Sequence, residues 1–100
     1  MKSDAMAGIS AALLAAAKNY LDITWNDSDG DVKLTGILAR GEKYLNGTVG
    51  ATLDFEAEGK PQELLLEYAR YVRNNALQYF RQDFLSELYA LKWEVEGDGT

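Results

Sequence analysis

The sequence predicts a small all-α protein: a three-helix bundle with a long third helix. Three observations lead there. Apolar residues recur at spacings of three and four along three stretches, about 9–22, 29–46 and 61–83. The chain has a single proline, Pro61, standing where the third stretch begins; the first helical position tolerates a missing N–H. Composition is that of a globular chain, 47% apolar and 26% charged over 100 residues. That length makes one domain, 1–100, which buries roughly two-thirds of its unfolded surface. Its ends, 1–8 and 97–100, are expected to fray.

The first helix is expected from Ile9 or Ser10 to Asp22, with Ser10 as N-cap. Leu13, Leu14, Ala17, Tyr20 and Leu21 form its buried stripe, and Ala11, Ala12, Ala15 and Ala16 allow close approach by a neighbour. Lys2 ahead of the Ala5–Ala17 run invites a signal-peptide reading. Asp4 in the would-be basic region and the continuing helical spacing argue for an amphipathic helix instead. Ile23-Thr24-Trp25 breaks the pattern, and Asn26 to Asp31 reads as a turn with Ser28 or Asp29 capping the next helix.

The second helix is expected from Asp29 to Asn46, stopped by Asn46-Gly47. Gly36 and Gly41 inside it cost about 1 kcal/mol each relative to Ala. Close packing against the alanine face of the first helix is the expected compensation. Residues 51–58 alternate in part, with Leu53, Phe55 and Ala57 against Asp54, Glu56 and Glu58. They read as a loop, a short strand or a flap over the core.

The third helix, Pro61 to about Asp83, is the organising element. Leu65, Tyr68, Val72, Asn75 and Tyr79 lie on one stripe. Beyond it, Phe84, Leu85, Leu88 and Leu91 can continue a helix, which would make a fourth. From Leu91 the period turns to two, with Leu91, Trp93 and Val95 alternating with charged residues, and this predicts a short C-terminal strand. Such a strand needs a partner, from 51–58 or from another copy.

Composition narrows function mainly by exclusion. There is no Cys and no His. Disulfides, thiolate zinc sites and cysteine nucleophiles are excluded, and the commonest general base and metal ligand are missing. No constellation of carboxylates and tyrosines suggests catalysis, and no cofactor or metal site is expected. Net charge is −6. Residues 1–60 carry six Lys/Arg against nine Asp/Glu, and 61–100 carry four against seven. No basic segment is available to neutralise phosphates. No run approaches the ~18 apolar residues of a membrane span.

Two motifs fail on inspection. Asp27-Ser28-Asp29-Gly30-Asp31 looks like a calcium loop, but aligning Gly30 with the required glycine puts Trp25 at the first ligand position and Gly36 at the bidentate glutamate. It is an acidic capping turn. Gly36 and Gly41 have the spacing of a phosphate loop, but Glu42-Lys43-Tyr44 follows. What remains is a candidate subunit or partner interface: Leu91, Trp93 and Val95 in the tail, and Arg70, Arg73 and Arg81. The arginines either meet an acidic partner or pair with Glu63, Glu67, Asp83 and Glu87.

The order of phrases carries one resemblance. Tyr20-Leu21-Asp22-Ile23 is followed by Trp25 with Asp27 and Asp29, then by Tyr44-Leu45-Asn46-Gly47, and the chain continues as ELLLEYARYVRNNALQYFRQDFLSELYALKWEVEGD. From about Leu13 to Glu96 it resembles the head–tail connector (adaptor) proteins of tailed phages, in the form seen in phages and prophages of Gram-positive bacteria. The resemblance implies a helical subunit of a ring of roughly a dozen copies beneath the portal, joining the DNA-filled head to the neck or tail. It implies as partners other copies of the chain, the portal and a neck, stopper or tail-completion protein. DNA would be passing cargo without sequence-specific binding, and no membrane is involved. The place would be the virion neck, with the host cytoplasm before assembly. Gly36 and Gly41 depart from the better helix formers expected there. The alternative is a non-enzymatic helical module that binds a peptide or regulates a partner.

Overall fold

A computed structural model describes residues 9–24 and 26–98, with side chains to Glu96. The expectations for 1–8, Trp25, Gly99 and Thr100 lie outside these residues. All regular structure among the described residues is helical: α1 (Ala11–Tyr20), α2 (Ser28–Val49), α3 (Lys60–Arg73), a 3₁₀ turn (Leu77–Tyr79), α4 (Phe80–Asp83) and α5 (Leu85–Asp98). The all-α class stands; the long third helix and both strands do not.

The first two helices start on side-chain caps. Ser10 Oγ accepts from Leu13 N–H at 3.0 Å and donates to Glu56 Oε1 at 2.6 Å, so the cap of α1 also anchors the loop before α3. Asp27, rather than Ser28 or Asp29, caps α2 by accepting from Asp29 N–H at 3.2 Å. The acidic turn is thus occupied by capping.

Three helices end alike. After α1, Ile23 N–H reaches Lys18 O at 2.8 Å, with Asp22 at φ +60°. After α2, Ala51 N–H reaches Asn46 O at 3.2 Å, with Gly50 at φ +81°. After α3, Ala76 N–H reaches Tyr71 O at 2.8 Å, with Asn75 at φ +56°. Each is a Schellman-type end, where one left-handed residue lets a later N–H satisfy an orphan carbonyl. Gly50, not Asn46-Gly47, therefore stops α2. Asn75 stops the helix that the apolar period carries through to Asp83.

Packing explains that stop. Phe80 is 1% exposed, and its ring centroid lies 5.6 Å from Tyr68, 5.6 Å from Tyr71, 6.1 Å from Tyr44 and 5.0 Å from Phe84. On an unbroken helix, Tyr68 and Phe80 would stand about 18 Å apart along the axis. Breaking at Asn75 folds Phe80 back under α3. Tyr79, placed by the period on the buried stripe, is 54% exposed, and Asn75 is exposed as well.

The tail strand is overturned by the same kind of reason. Phe84, Leu88, Leu91 and Val95 form a helical stripe, with Leu88 and Leu91 buried and Phe84 and Val95 packed against the core. The apparent period of two came from Trp93, which is apolar but points outward. Residues 97 and 98, expected to fray, continue α5. Residues 51–58 form the flap alternative: Phe55 is buried, Leu53 N–H donates to Asn46 Oδ1 at 2.9 Å, and Gln62 Nε2 donates to Phe55 O at 3.0 Å.

The helix glycines divide. A Cβ on Gly41 would lie 2.7 Å from Leu65 Cδ1 and 2.8 Å from Tyr68 Cδ1, so Gly41 packs on α3, not on the alanine face of α1. Around Gly36 the nearest atom is Arg40 Nη1 at 3.5 Å, and no close packing compensates it. Gly36→Ala should therefore raise stability by about 0.5–1 kcal/mol through helix propensity. Gly41→Ala should lower it by about 1–3 kcal/mol through overpacking. Urea denaturation of the two variants separates these effects, and equal shifts would refute the assignment.

Candidate interaction surface

Secondary structure sorts the six candidate residues. Leu91 is 5% exposed and belongs to the chain's own core, and Val95 is half-buried against it. Neither is free for a partner. Trp93 is 78% exposed. One turn earlier, Tyr89 is 58% exposed on the same side of α5. The sequence reading missed Tyr89, because a strand reading of the tail does not extend to it. Once the segment is a helix, the i, i+4 pair off the buried stripe marks it.

The arginines have three different settings. Arg70 binds the Glu67 carboxylate through Nε at 3.1 Å and Nη2 at 2.5 Å, and its guanidinium carbon lies 5.3 Å from the Tyr71 ring centroid. Glu67 also accepts from the Tyr20 hydroxyl, which ties α1 to α3. The bond to Glu67 raises the Arg70 pKa further. Arg73 and Arg81 are exposed and make no ion pair among the described residues. Of the carboxylates offered as partners, Glu67 alone takes an arginine; Glu63 pairs with Lys60 at 3.4 Å.

A groove of about 270 Å³ opens beside the Asn75 corner, lined by Arg70, Tyr71, Asn74, Ala76, Tyr79 and Asp83. The Tyr71 hydroxyl donates to Asp83 Oδ2 at 2.7 Å across its end. That bond to a carboxylate raises the Tyr71 pKa above its ordinary value. Nearby, Leu77 is 39% exposed. The corner therefore offers aromatic walls and a cation, suited to a flat or apolar side chain.

A second cleft, of about 180 Å³, lies between the start of α2 and Arg73. Its lining includes Lys18, Asp27 and Asp31, and Lys18 binds Asp31 at 2.8 Å. Lys18 and Asp31 are matched to each other, and Asp27 caps the helix end. No group of three or more His, Cys, Asp or Glu residues among those described is placed to hold a metal ion. No described helix is long and apolar enough to cross a membrane. No family model, no curated protein and no solved structure matches the chain.

One carboxylate is held in an unfavourable state. Burial, and then the charge of Glu56, raise the Glu42 pKa above the ordinary 4.5. The folded state thus binds this proton more tightly than the unfolded chain does. The stabilisation linked to it is present below about pH 4.5 and is lost as pH rises through the elevated pKa. Glu42→Gln should accordingly be more stable than the parent at pH 7, with the difference shrinking towards pH 4. Paired denaturation curves at the two pH values test this, and an equal difference at both would refute it.

Proposed function

We propose that this chain is a structural subunit that assembles with copies of itself, of the head–tail connector kind. It would sit between the portal of a DNA-filled phage head and the neck or tail, with a stopper or tail-completion protein on its other side. DNA is passing cargo, and the chain has no catalytic role. Its place is the virion neck, reached from the host cytoplasm.

The observation that carries this reading is the outer face of α5. A helix that buries Leu88 and Leu91 still presents Trp93 and Tyr89 to solvent. Aromatic side chains of this kind are enriched at protein interfaces. The ordered phrases around Tyr20-Leu21 and Tyr44-Leu45 support the connector type, and the net charge of −6 suits a passage to which DNA must not adhere. The groove at the Asn75 corner favours a second reading, a module that receives a side chain of a partner peptide.

Mass measurement across a concentration series, with and without the cognate portal protein, decides between them. The connector reading expects a discrete high-order species or a complex with the portal. A strict monomer that ignores the portal would overturn it and favour peptide binding. Deleting Leu91 to Thr100 is not a clean probe of assembly, because Leu91 belongs to the core. Trp93→Ala is cleaner. It should weaken assembly or portal binding at least tenfold, while stability stays within about 0.5 kcal/mol of the parent, as for most surface substitutions.

A further inference from the structure

Two surfaces of this chain stand open: an aromatic knob and a groove. The first is the outer face of α5, where Trp93 and Tyr89 stand with Glu94 beside them. The second is the groove at the Asn75 corner, whose lining residues all fall between 70 and 83 and so include nothing from α5. Building on the self-assembly reading, we infer that Trp93 of one copy docks in the Asn75-corner groove of the next.

The chemistry of the groove suits an indole. The rings of Tyr71 and Tyr79 provide aromatic walls, and Ala76 keeps the slot open. The Arg70 guanidinium already lies over an aromatic ring and carries the charge that attracts another ring's face. An indole also needs an acceptor for its N–H. Asp83 Oδ2 takes the Tyr71 hydroxyl, and Oδ1 remains available at the groove.

Charge points the same way. From Glu67 to Asp83 the chain carries Arg70, Arg73 and Arg81 against Glu67 and Asp83, and Glu67 holds Arg70. From Leu85 to Glu96 it carries Glu87, Glu94 and Glu96 against Lys92, and Glu96 holds Lys92 at 3.1 Å. A helix carrying Glu87 and Glu94 beside a projecting tryptophan meets an aromatic slot whose charges, Arg70 and Asp83, are balanced, with Arg81 unpaired on the same segment. Arg81, unpaired among the described residues, is available to Glu94 or Glu87 of the neighbour, whereas Arg73 faces the other cleft. Electrostatic complementarity of this sort fixes orientation and register.

The contact joins two different patches, so it can repeat head to tail from one copy to the next. An open series keeps one free tryptophan at one end and one free groove at the other until it closes, which produces a ring, or a filament where the rotation does not close. The alternative is a reciprocal two-fold dimer, in which each tryptophan fills the other copy's groove; a parent that stops at the dimer would overturn the head-to-tail series.

The test uses two full-length variants that each disable one surface: Trp93→Ala removes the knob, and Ala76→Gln fills the slot without altering charge. Circular dichroism checks that both fold. Native mass spectrometry and light scattering then follow the parent, each variant alone and an equal mixture. The parent should form high-order species, and each variant alone should associate at least tenfold more weakly. The mixture should recover association but stop at the dimer, because one intact knob meets one intact groove and neither outer end can extend. The charge pair Glu94→Arg and Arg81→Glu, each weakening and the two together restoring assembly, gives an independent check.

A Trp93→Ala variant that assembles like the parent overturns this contact and removes the α5 face as support for the connector reading, which portal binding by the parent then decides. Two weakened variants whose mixture fails to pair overturn the heterologous arrangement. A parent chain that stays monomeric to millimolar concentration overturns the contact as well, while portal binding still decides the connector reading by itself.

Discussion

The return of Phe80 beneath α3 is the contact on which the rest of the structure depends. It brings Tyr44 of α2, Tyr68 and Tyr71 of α3, and Phe84 at the head of α5 around one buried ring. Edge-to-face geometry holds for three of these pairs. Such pairs contribute about 0.5–1.5 kcal/mol each beyond the area they bury. None forms on an unbroken helix from 61 to 83. The left-handed turn at Asn75 is cheap for asparagine and is offset by this cluster. It also sets where α5 begins, and hence where its outer face lies. At Gly41, the close approach of α2 to α3 holds Tyr68 in place for the cluster.

Much of this was legible in the sequence. The caps at Ser10 and the acidic turn before α2, Pro61 at the start of α3 and the apolar periods all act locally, so each could be read from a few neighbours. The break at Asn74-Asn75 could not. No glycine or proline marks it, and Tyr79 extends the preceding stripe by coincidence of spacing. The competing signal, asparagine's tolerance of left-handed backbone, is too weak to outrank a long apolar period until the distant Tyr44 and Tyr68 are seen to need Phe80.

The tail failed for the opposite reason. Leu91 and Val95 are four apart and lie on a helix stripe with Phe84 and Leu88. Trp93, between them, imitates alternation because it is apolar and yet faces solvent. A large apolar residue left exposed breaks the amphipathic pattern by which sequence reports its own fold. The local inconsistency in the tail was therefore itself the mark of the candidate surface. Of the six residues singled out in sequence, Trp93 and the three arginines are exposed. Leu91 and Val95 went inside once the helix was recognised, and Tyr89 came out.

Why a chain of this size leaves Trp93 outside can be weighed. Burying a large apolar side chain is worth about 1.5–3 kcal/mol. Intramolecular burial would have to displace Leu88 or Leu91, which already fill the stripe. The gain is available only against another surface. Association costs on the order of 4–15 kcal/mol, so one tryptophan in one slot makes a weak pair. In a closed ring each copy makes two such contacts, and closing the last joint adds a contact without another loss of free translation. Under the proposed connector reading, a subunit held this way would stay dissociated while dilute and assemble once copies are gathered at one place.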